Sequence, residues 1–314
     1  MTGRQRILAA LRFEQPDRPP HFEPMFELER EAFGLSFPDR TAWNGCTRRE
    51  KDVMIGRCVS IYERIVERYR WDALLVFWPW SDPDGIRAAR RAFGDDILVG
   101  GVIGGGVWSI EGMTDWMQFS ADLLEHPEEI HAEARRRETI TVEHAARLAE
   151  AGAEFIHLVN DVAFNAGPFL SPSQFAEFIT PYWRREVEAV RRAGCIPFIH
   201  SDGQLMPILD QIVSLGAACL QSIDPMAGMD IAEVKRLTYG KLALMGNVKC
   251  SVLQDGPRDA IRESARYCLE HGSPGGGYIF GTSNTIFPGM PLENYEYMLD
   301  VYHEFCEEKK GARL

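Results

Sequence analysis

The sequence predicts a (β/α)₈ barrel built as one domain over residues 1–314. Eight runs of apolar residues follow one another along the chain, centred near residues 22, 75, 100, 157, 198, 221, 244 and 279. Most of these runs are continuous rather than alternating, which is typical of strands that are covered on both faces. Helical patterns separate nearly all of the runs, so the strands are expected to be parallel. Eight strands alternating with helices is the count of a closed barrel.

The length of the chain is compatible with this prediction. A chain of 314 residues allows two ordinary domains, but (β/α)₈ barrels of this size commonly form one. Neither a linker nor a shift in composition divides the sequence. A doubly wound open sheet is the alternative fold class. Such a sheet usually carries a G-x-G-x-x-G loop after an early strand, and neither glycine-rich stretch, 100–106 or 275–281, has that spacing.

The first half of the chain supplies four of the predicted strands. The strands are expected at 21–26, 73–78, 97–103 and 154–159, and the helices at 4–11, 57–69 and 128–151. A polar, arginine-rich stretch lies between the second and third strands. Gly152 follows the longest helix, where glycine accepts the left-handed conformation that ends many helices.

The second half of the chain begins with a helix whose start is marked by its sequence. Ser171 and Gln174 form a capping box, with Pro172 at the first helical position, and Pro181 is expected to kink this helix. The remaining strands are expected at 195–199, 218–223, 242–245 and 278–280, and the remaining helices at 205–215, 230–237, 259–270 and 292–308. The segment 160–170 is therefore a strand-to-helix loop, and such loops form the active-site mouth of a barrel.

Composition and charge exclude several classes of protein. The chain has 46 acidic residues against 34 Lys and Arg, and a net charge of −12 disfavours nucleic acids and anionic membranes as partners. No apolar stretch is long enough to span a membrane, and the first residues lack the pattern of a signal peptide. The 7 cysteines show no CxxC motif, as is typical of reduced proteins. We expect a cytoplasmic protein that binds neither nucleic acid nor membrane.

Polar residues that follow the strands are the candidates for a functional site, because the carboxyl ends of parallel strands meet at one face of a barrel. These residues are Glu23, Asn160, Asp161, His200, Asp202, Asp224, Asn247, Lys249, Cys250, Ser283 and Asn284. Carboxylates, an imidazole and amides around one mouth are typical of a proton-transfer or metal site. The pattern therefore predicts an enzyme.

The segment 198–203 carries the most specific signal. Apolar strand residues bring His200 to the rim, and Asp202, two positions later, can present its carboxylate on the same side. Such a pair can chelate a divalent metal or orient the imidazole as a general base. The alternative is that Asp202 caps a helix starting at Gln204 and His200 is hydrogen bonded within the rim. Gly203 would permit a left-handed turn or a close backbone approach.

Three further residues allow two interpretations each. Asp161 ends an apolar strand and is either a substrate anchor or base, or a carboxylate that caps its loop. Cys250 is either a thiolate ligand or a buried structural thiol, and we favour the second because no base is apparent near it. Trp78 either lines an apolar ligand pocket or packs around the rim.

Seven motifs stand out along the chain: HSDGQLMPIL from residue 200, LGA from 215, DPMAGMD at 224–230, ND at 160–161, GPFLSP at 167–172, MGNV at 245–248 and PLEN at 291–294. Together these motifs resemble the uroporphyrinogen decarboxylase superfamily. They occur in the order of the family and extend over about residues 2–310. The resemblance implies a (β/α)₈ barrel. It also implies one of two activities, porphyrin decarboxylation or cobalamin-dependent transfer of methyl groups to or from thiols or methoxylated compounds.

Within this resemblance, the stretch that follows the first strand distinguishes between the two activities. The decarboxylase carries an arginine-rich stretch after its first strand, which binds the carboxylates of its substrate. Here residues 24–30 read PMFELER, and the rim is expected to hold Glu23, Glu27 and Glu29 instead. An acidic rim disfavours an octa-acid porphyrinogen.

The methyltransferases of the superfamily with known zinc chemistry use a His-x-Cys pair on the fifth strand and a second cysteine after the eighth. Zinc there activates a thiol for attack on the methyl group. This chain keeps His200 and has Asp202 and Asn284 at the two cysteine positions. Oxygen ligands form a harder and weaker set than thiolates, although Cys250 is a further candidate ligand.

We therefore expect an enzyme of this superfamily, most like its corrinoid-linked methyltransferases, with a small substrate at the mouth of the barrel. The expected catalytic residues are Asp161, His200 and Asp202, and His200 with Asp202 would hold a divalent metal such as zinc. The expected substrate-binding residues are Glu23, Trp78, Asn160, Asn247 and Asn284. The expected partners are a corrinoid protein and a second copy of the chain. The alternatives are a cofactor-free tetrapyrrole decarboxylase and a non-catalytic ligand-binding barrel.

Overall fold

A parallel sheet of seven strands forms the centre of the computed structural model, which describes residues 1–311. Its strands are β1 (Ala73–Val76), β2 (Leu98–Gly104), β3 (Phe155–Val159), β6 (Ile196–His200), β7 (Cys219–Gln221), β8 (Ala243–Val248) and β9 (Tyr278–Thr282). The strands β4 (Ala163–Phe164) and β5 (Gly167–Pro168) form a separate antiparallel pair. The large sheet runs in chain order, β1-β2-β3-β6-β7-β8-β9. The alternative of a doubly wound sheet is therefore wrong, because its strand order reverses at a switch point.

An extended segment around His21 contacts both edges of this sheet. The Asp72 N–H, just before β1, donates to the carbonyl oxygen of His21 at 2.8 Å, and the Phe280 N–H in β9 donates to that of Pro20 at 2.8 Å. The segment forms isolated bridges, one of them between His21 and Phe280, rather than the regular strand expected at 21–26.

Within the described residues, fourteen helices accompany the sheet. They are α1 (Gly3–Leu11), α2 (Glu29–Phe33), α3 (Arg40–Trp43), α4 (Arg48–Tyr69), α5 (Pro83–Phe93), α6 (Trp116–Glu125), α7 (Pro127–Glu150), α8 (Pro172–Phe178), α9 (Thr180–Arg192), α10 (Leu209–Ser214), α11 (Ile231–Thr238), α12 (Cys250–Asp255), α13 (Arg258–Gly272) and α14 (Leu292–Gly311). Across residues 1–311, none of these helices combines the length and the apolarity needed to cross a membrane.

Most expected helices are present, and the caps explain their ends. The Ser171 hydroxyl and Gln174 form the expected capping box of α8. Helix α8 ends at Phe178, and Ile179 separates it from α9. Pro181 lies in the first turn of α9 instead of kinking one long helix. Gly152 follows α7 with a φ of +101°. The arginine-rich stretch proved to be α5, which begins at the Asp82 cap with a proline in its first turn.

Aromatic side chains fill the interior at one end of the sheet. The Phe155 ring lies 4.8 Å from the Phe198 ring and 6.0 Å from the Phe22 ring, between ring centroids. Gly100 in β2 makes room for this packing, because a Cβ atom there would lie 2.4 Å from the Phe155 ring. The polar residues of the candidate site lie at the carboxyl ends of the strands.

Candidate functional site

A cavity of about 310 Å³ opens at the carboxyl ends of the strands. This volume lies at the small end of the roughly 300–1,000 Å³ typical of ligand pockets. Its polar lining residues are Glu111, His157, Asp161, His200, Asp202, Gln221, Asn284 and Thr285. Its apolar wall includes Met25, Leu75, Phe77 and Val102. Four of the residues expected at the site therefore lie together: Asp161, His200, Asp202 and Asn284.

His200, Asp161 and Asp202 form the centre of this cavity. The Nε2 atom of His200 lies 3.4 Å from Oδ1 of Asp161 and 3.9 Å from Oδ2 of Asp202. Strand pairing sets this geometry, because Val159 of β3 lies opposite His200 of β6. Beyond the strands, the Asn160 N–H donates to the His200 carbonyl at 3.1 Å, and the Asp202 N–H donates to Oδ1 of Asp161 at 3.0 Å.

Gln221 of β7 fixes the orientation of the His200 ring. The Nε2 amide of Gln221 donates to the Ser283 carbonyl at 3.3 Å, so its Oε1 is the atom that faces Nδ1 of His200. An amide oxygen only accepts, so Nδ1 must donate to it. In the neutral ring this leaves the lone pair of Nε2 directed toward two carboxylates. The arrangement has the geometry to bind a cation between these groups.

Asn284 holds Asp202 from the other side of the cavity. Its Nδ2 amide donates to Oδ2 of Asp202. Burial raises the pKa of Asp202, His200 opposes this change, and the negative charges of Asp161 and Asp224 add to it. The alternative that Asp202 caps a helix at Gln204 is wrong, because the Gln204 N–H donates to the Phe164 carbonyl at 2.9 Å.

Gly203 makes the turn after Asp202 possible. Its φ is +86°, and a Cβ atom there would lie 2.3 Å from the Ala163 carbonyl oxygen. Both expectations for this glycine, the left-handed turn and the close backbone approach, are met at once. The β4–β5 pair therefore packs directly on the segment that carries His200 and Asp202.

The cluster has the donor set and the spacing of a metal site. One ligand atom from each of Asp161, His200 and Asp202 lies within 4.8 Å of the others. Ligands at 2.0–2.2 Å from a tetrahedral ion are about 3.4 Å apart, which is the His200–Asp161 distance. The Nδ1 hydrogen bond to Gln221 is the outer contact that metal-binding histidines commonly make. Asp161 is thus a third candidate ligand beside the expected pair, His200 and Asp202.

Cys250 does not join this cluster. Its Sγ accepts from the Ser283 hydroxyl at 3.6 Å, and burial raises the pKa of its thiol to about 11. A thiol with this pKa remains protonated near neutrality, which agrees with the structural thiol that we favoured, although Cys250 is half-buried rather than buried.

Two expected substrate-binding residues contact backbone groups instead of the cavity. Oδ1 of Asn160 accepts from the Gly106 and Val107 N–H groups at 3.0 and 3.4 Å. The Nδ2 amide of Asn247 donates to the Ile223 carbonyl at 2.7 Å. Both side chains are buried, because backbone groups that leave the sheet need partners.

Glu23 and Trp78 lie behind the cavity wall. The Glu23 carboxylate is fully buried and accepts from the Thr282 N–H and hydroxyl at 3.0 and 2.7 Å. Burial raises its pKa to about 8. The Trp78 ring packs edge-on against Phe77, which is the aromatic ring that lines the cavity. The expected acidic rim of Glu23, Glu27 and Glu29 is therefore wrong, since none of the three lines it.

The other strand-end residues have local roles. Asp224 caps the turn after β7 by accepting from Met226 N–H at 2.8 Å and also accepts from Gly203 N–H at 3.3 Å. Ser283 supplies its carbonyl to Gln221. Lys249 is exposed and lines a separate cavity of about 440 Å³ beside α11 and α13.

Sequence reasoning missed four polar residues of the cavity: Glu111, His157, Gln221 and Thr285, the last of which directly follows the expected Asn284. His157 and Gln221 lie inside apolar strands, so a polar residue within a continuous apolar run was the signal that could have found them. Glu111 lies in the loop after β2, far from any expected strand end, and no local pattern marks it.

Comparison with known proteins agrees with this architecture. A family model described as Uroporphyrinogen decarboxylase (URO-D) matches residues 83–305. The uroporphyrinogen decarboxylase of Anaeromyxobacter dehalogenans (strain 2CP-C) is 28% identical over 243 residues, 74% of this chain and 67% of that protein. The uroporphyrinogen decarboxylase of Anaeromyxobacter sp. (strain Fw109-5) is 28% identical over 75% of this chain and 68% of that protein.

Among solved structures, a methyltransferase from Methanosarcina mazei has a similar fold. The two superpose with a TM-score of 0.78 at 18% sequence identity, over 97% of this chain and 99% of that chain. At this identity the likeness concerns the fold.

Proposed function

The chain belongs to the uroporphyrinogen decarboxylase family, and from this premise we propose that it is an enzyme that moves a methyl group between a small substrate and a corrinoid carried by a partner protein. The substrate would bind in the cavity around His200, and Asp161, His200 and Asp202 would be the catalytic residues. The corrinoid would approach the same mouth from outside.

One observation carries the choice of methyl transfer over decarboxylation. The residues that line the cavity include three carboxylates, Glu111, Asp161 and Asp202, and neither Lys nor Arg. An octa-acid tetrapyrrole would meet repulsion at short range in a partly desolvated site, where charge interactions are strong. A cavity of about 310 Å³ is also small for such a substrate.

The cluster would hold a divalent metal through Nε2 of His200 and one oxygen each of Asp161 and Asp202. A bound ion of this kind supplies a Lewis acid, which lowers the pKa of a thiol or hydroxyl methyl acceptor. Gln221 keeps the lone pair of His200 Nε2 directed into the cavity, and Asn284 keeps the Asp202 carboxylate in place. Nitrogen and oxygen ligands favour a harder ion than the thiolate set of the related zinc enzymes.

We further infer that the sheet closes into a (β/α)₈ barrel, with the segment around His21 as the eighth strand. The hydrogen bonds from Asp72 and Phe280 to this segment support the inference. Closure would account for Pro24 and Met25 lining the same cavity as His200.

The test is a spectral assay of methyl transfer. The protein is incubated with a methylated corrinoid protein, or free methylcobalamin, and with thiols, phenols and amines in turn. We expect demethylation of the corrinoid with one class, and its loss in His200→Ala. Silence across all classes would contradict the proposal. Formation of coproporphyrinogen from uroporphyrinogen would establish the decarboxylase instead. If Ala at His200, Asp202 and Asp161 changed no measured activity or ligand affinity, the non-catalytic barrel would be correct.

A further inference from the structure

The polar groups that face the cavity are unusual in being nearly all hydrogen-bond acceptors. Glu111, Asp161 and Asp202 present carboxylates. One N–H of the Asn284 amide is used by Asp202, and one N–H of the Gln221 amide by the Ser283 carbonyl. The Thr285 hydroxyl serves as either donor or acceptor. A ligand that complements this lining must bring hydrogen-bond donors and positive charge.

His157 adds a further acceptor to the lining. It is 2% exposed, and its Nε2 has no hydrogen-bond partner among residues 1–311. Burial lowers its pKa to about 3, and the nearby His200 adds to this effect. Because the Ile199 backbone bonds the other ring nitrogen, Nε2 is the atom left without a partner, and such a buried polar atom is costly unless a ligand supplies one.

Glu111 is an exposed residue whose side chain is partly desolvated where it lines the cavity, and hydrogen bonds anchor its loop. The Gly106 and Val107 N–H groups donate to Asn160, and the Ile110 N–H donates to the Asp161 carbonyl at 2.8 Å. Glu111 is not part of the His200 cluster. Burial raises its pKa, and the charges of Asp161 and Asp202 contribute while His200 opposes them.

The charge balance of the cavity leaves Glu111 uncompensated. A divalent ion at the cluster would cancel the charges of Asp161 and Asp202, so the Glu111 carboxylate would remain. Without an ion, the negative charge is larger. In both cases a cation of charge +1 is the ligand that the remaining field attracts.

We propose that this cavity selects a small organic cation of the ammonium type that carries a hydroxyl or N–H donor. Glu111 binds its charge, Nε2 of His157 accepts from its donor, and Phe77 contacts the cationic group with its ring face. Rings bind such cations with their negative faces. The proposal rests on the proposed function, because it names the substrate class of the same site.

The test is calorimetric titration of the protein alone, without corrinoid. The probes are ethanolamine, dimethylethanolamine, choline and 3,3-dimethylbutan-1-ol, the last a neutral isostere of choline. We expect at least one cation to bind at micromolar to millimolar concentrations, and the isostere to bind at least tenfold more weakly than choline. In Glu111→Gln, choline affinity falls about tenfold and isostere affinity changes less than twofold. In His157→Phe, both fall by a similar factor.

Glu128→Gln, an exposed acid of α7, is the matched control and leaves both affinities unchanged, and thermal unfolding verifies that each variant is folded. Absence of binding by every cation, or equal affinity for choline and its isostere, overturns the proposal. The same holds if Glu111→Gln binds choline as the wild type does. Binding without methyl transfer would contradict only the proposed function. Transfer from neutral substrates at a rate unaffected by Glu111→Gln would contradict only the cation proposal.

Discussion

The Nε2 atom of His200 lies 3.4 Å from Oδ1 of Asp161, and this contact joins the ends of two adjacent strands. Since Nδ1 of His200 donates a hydrogen bond to Oε1 of Gln221, the Nε2 lone pair of the neutral ring faces a carboxylate. A lone pair and a carboxylate at this distance can share a cation as two of its ligands. The contact is the basis for assigning the reaction centre to this cluster.

Removal of the Gln221 amide should weaken metal binding by the cluster, although Gln221 is not one of the proposed ligands. In Gln221→Leu, His200 loses the acceptor that sets its tautomer, and we expect divalent-metal affinity to fall about 10–100-fold. Chelator competition with zinc and manganese measures this change. Gln118→Leu, on the exposed helix α6, is the control. Equal metal affinity in Gln221→Leu and the wild type would show that metal binding by His200 does not depend on its hydrogen bond to Gln221.

Gly203 and Gly34 form a matched pair for backbone strain. Both have positive φ, +86° and +66°, but only at Gly203 would a Cβ atom meet backbone atoms. Gly34→Ala should cost about 1–2 kcal/mol of unfolding free energy from its left-handed conformation alone. Gly203→Ala should cost about 3 kcal/mol or more, because strain and clash add. Denaturant unfolding measures both. Equal losses would mean that the β4–β5 pair moves aside freely.

The buried acids Glu23 and Glu186 should make the protein less stable as the pH rises above 6.5. Burial raises the pKa of each to about 8, so the folded state keeps protons that the unfolded chain has released. Unfolding free energy therefore falls between the unfolded pKa, near 4.5, and about 8. His21 and His157, with pKa values lowered to about 3, act oppositely, but only below about 6.5.

Isosteric variants measure this contribution. Between pH 6.5 and 8 we expect the wild type to lose about 1–3 kcal/mol, and Glu23→Gln combined with Glu186→Gln to lose much less. Chemical unfolding at several pH values gives the slope, with the exposed Glu67→Gln as control. A slope that the double variant retains would assign the pH dependence to other groups.

Asn160 should control the loop that carries Glu111. In Asn160→Ala the Gly106 and Val107 N–H groups lose their acceptor, at a cost of about 1–3 kcal/mol. Hydrogen exchange of residues 105–113 should accelerate, and that of β9 should not. Asn44→Ala, at an exposed position, provides the comparison. Unchanged exchange in this loop would mean that Val107 and Ser109, both buried, suffice to anchor it.

Much of the fold could be predicted because its determinants are local. Continuous apolar runs mark strands buried on both faces, and Ser171 marks the start of α8 by hydrogen bonds within one turn. Short helices such as α3 (four residues) and α12 (six residues) have too few turns to show a periodicity. The segment at 21–26 is extended as expected, but its pairing depends on partners more than 250 residues away.

The site could be predicted only where the strand itself delivers the side chain. His200, Asp202 and Asp161 follow directly from strand ends in a parallel sheet. Asn160 shares that position, but the neighbouring loop needs its oxygen, a requirement that appears only when the loop is folded. Glu111 reaches the cavity through the same loop, so its place depends on tertiary contacts with Asn160 and Asp161.

The most direct test of the central claim is single-turnover methyl transfer in variants of the cluster. We expect His200→Gln and Asp161→Asn each to slow demethylation of the corrinoid at least 100-fold. The exposed control Asp95→Asn should leave the rate unchanged, and the wild type should form no coproporphyrinogen from uroporphyrinogen. Turnover of uroporphyrinogen by the wild type would contradict the proposed methyl transfer. Methyl transfer that is undiminished in both cluster variants would contradict the assignment of the reaction centre to His200 and Asp161.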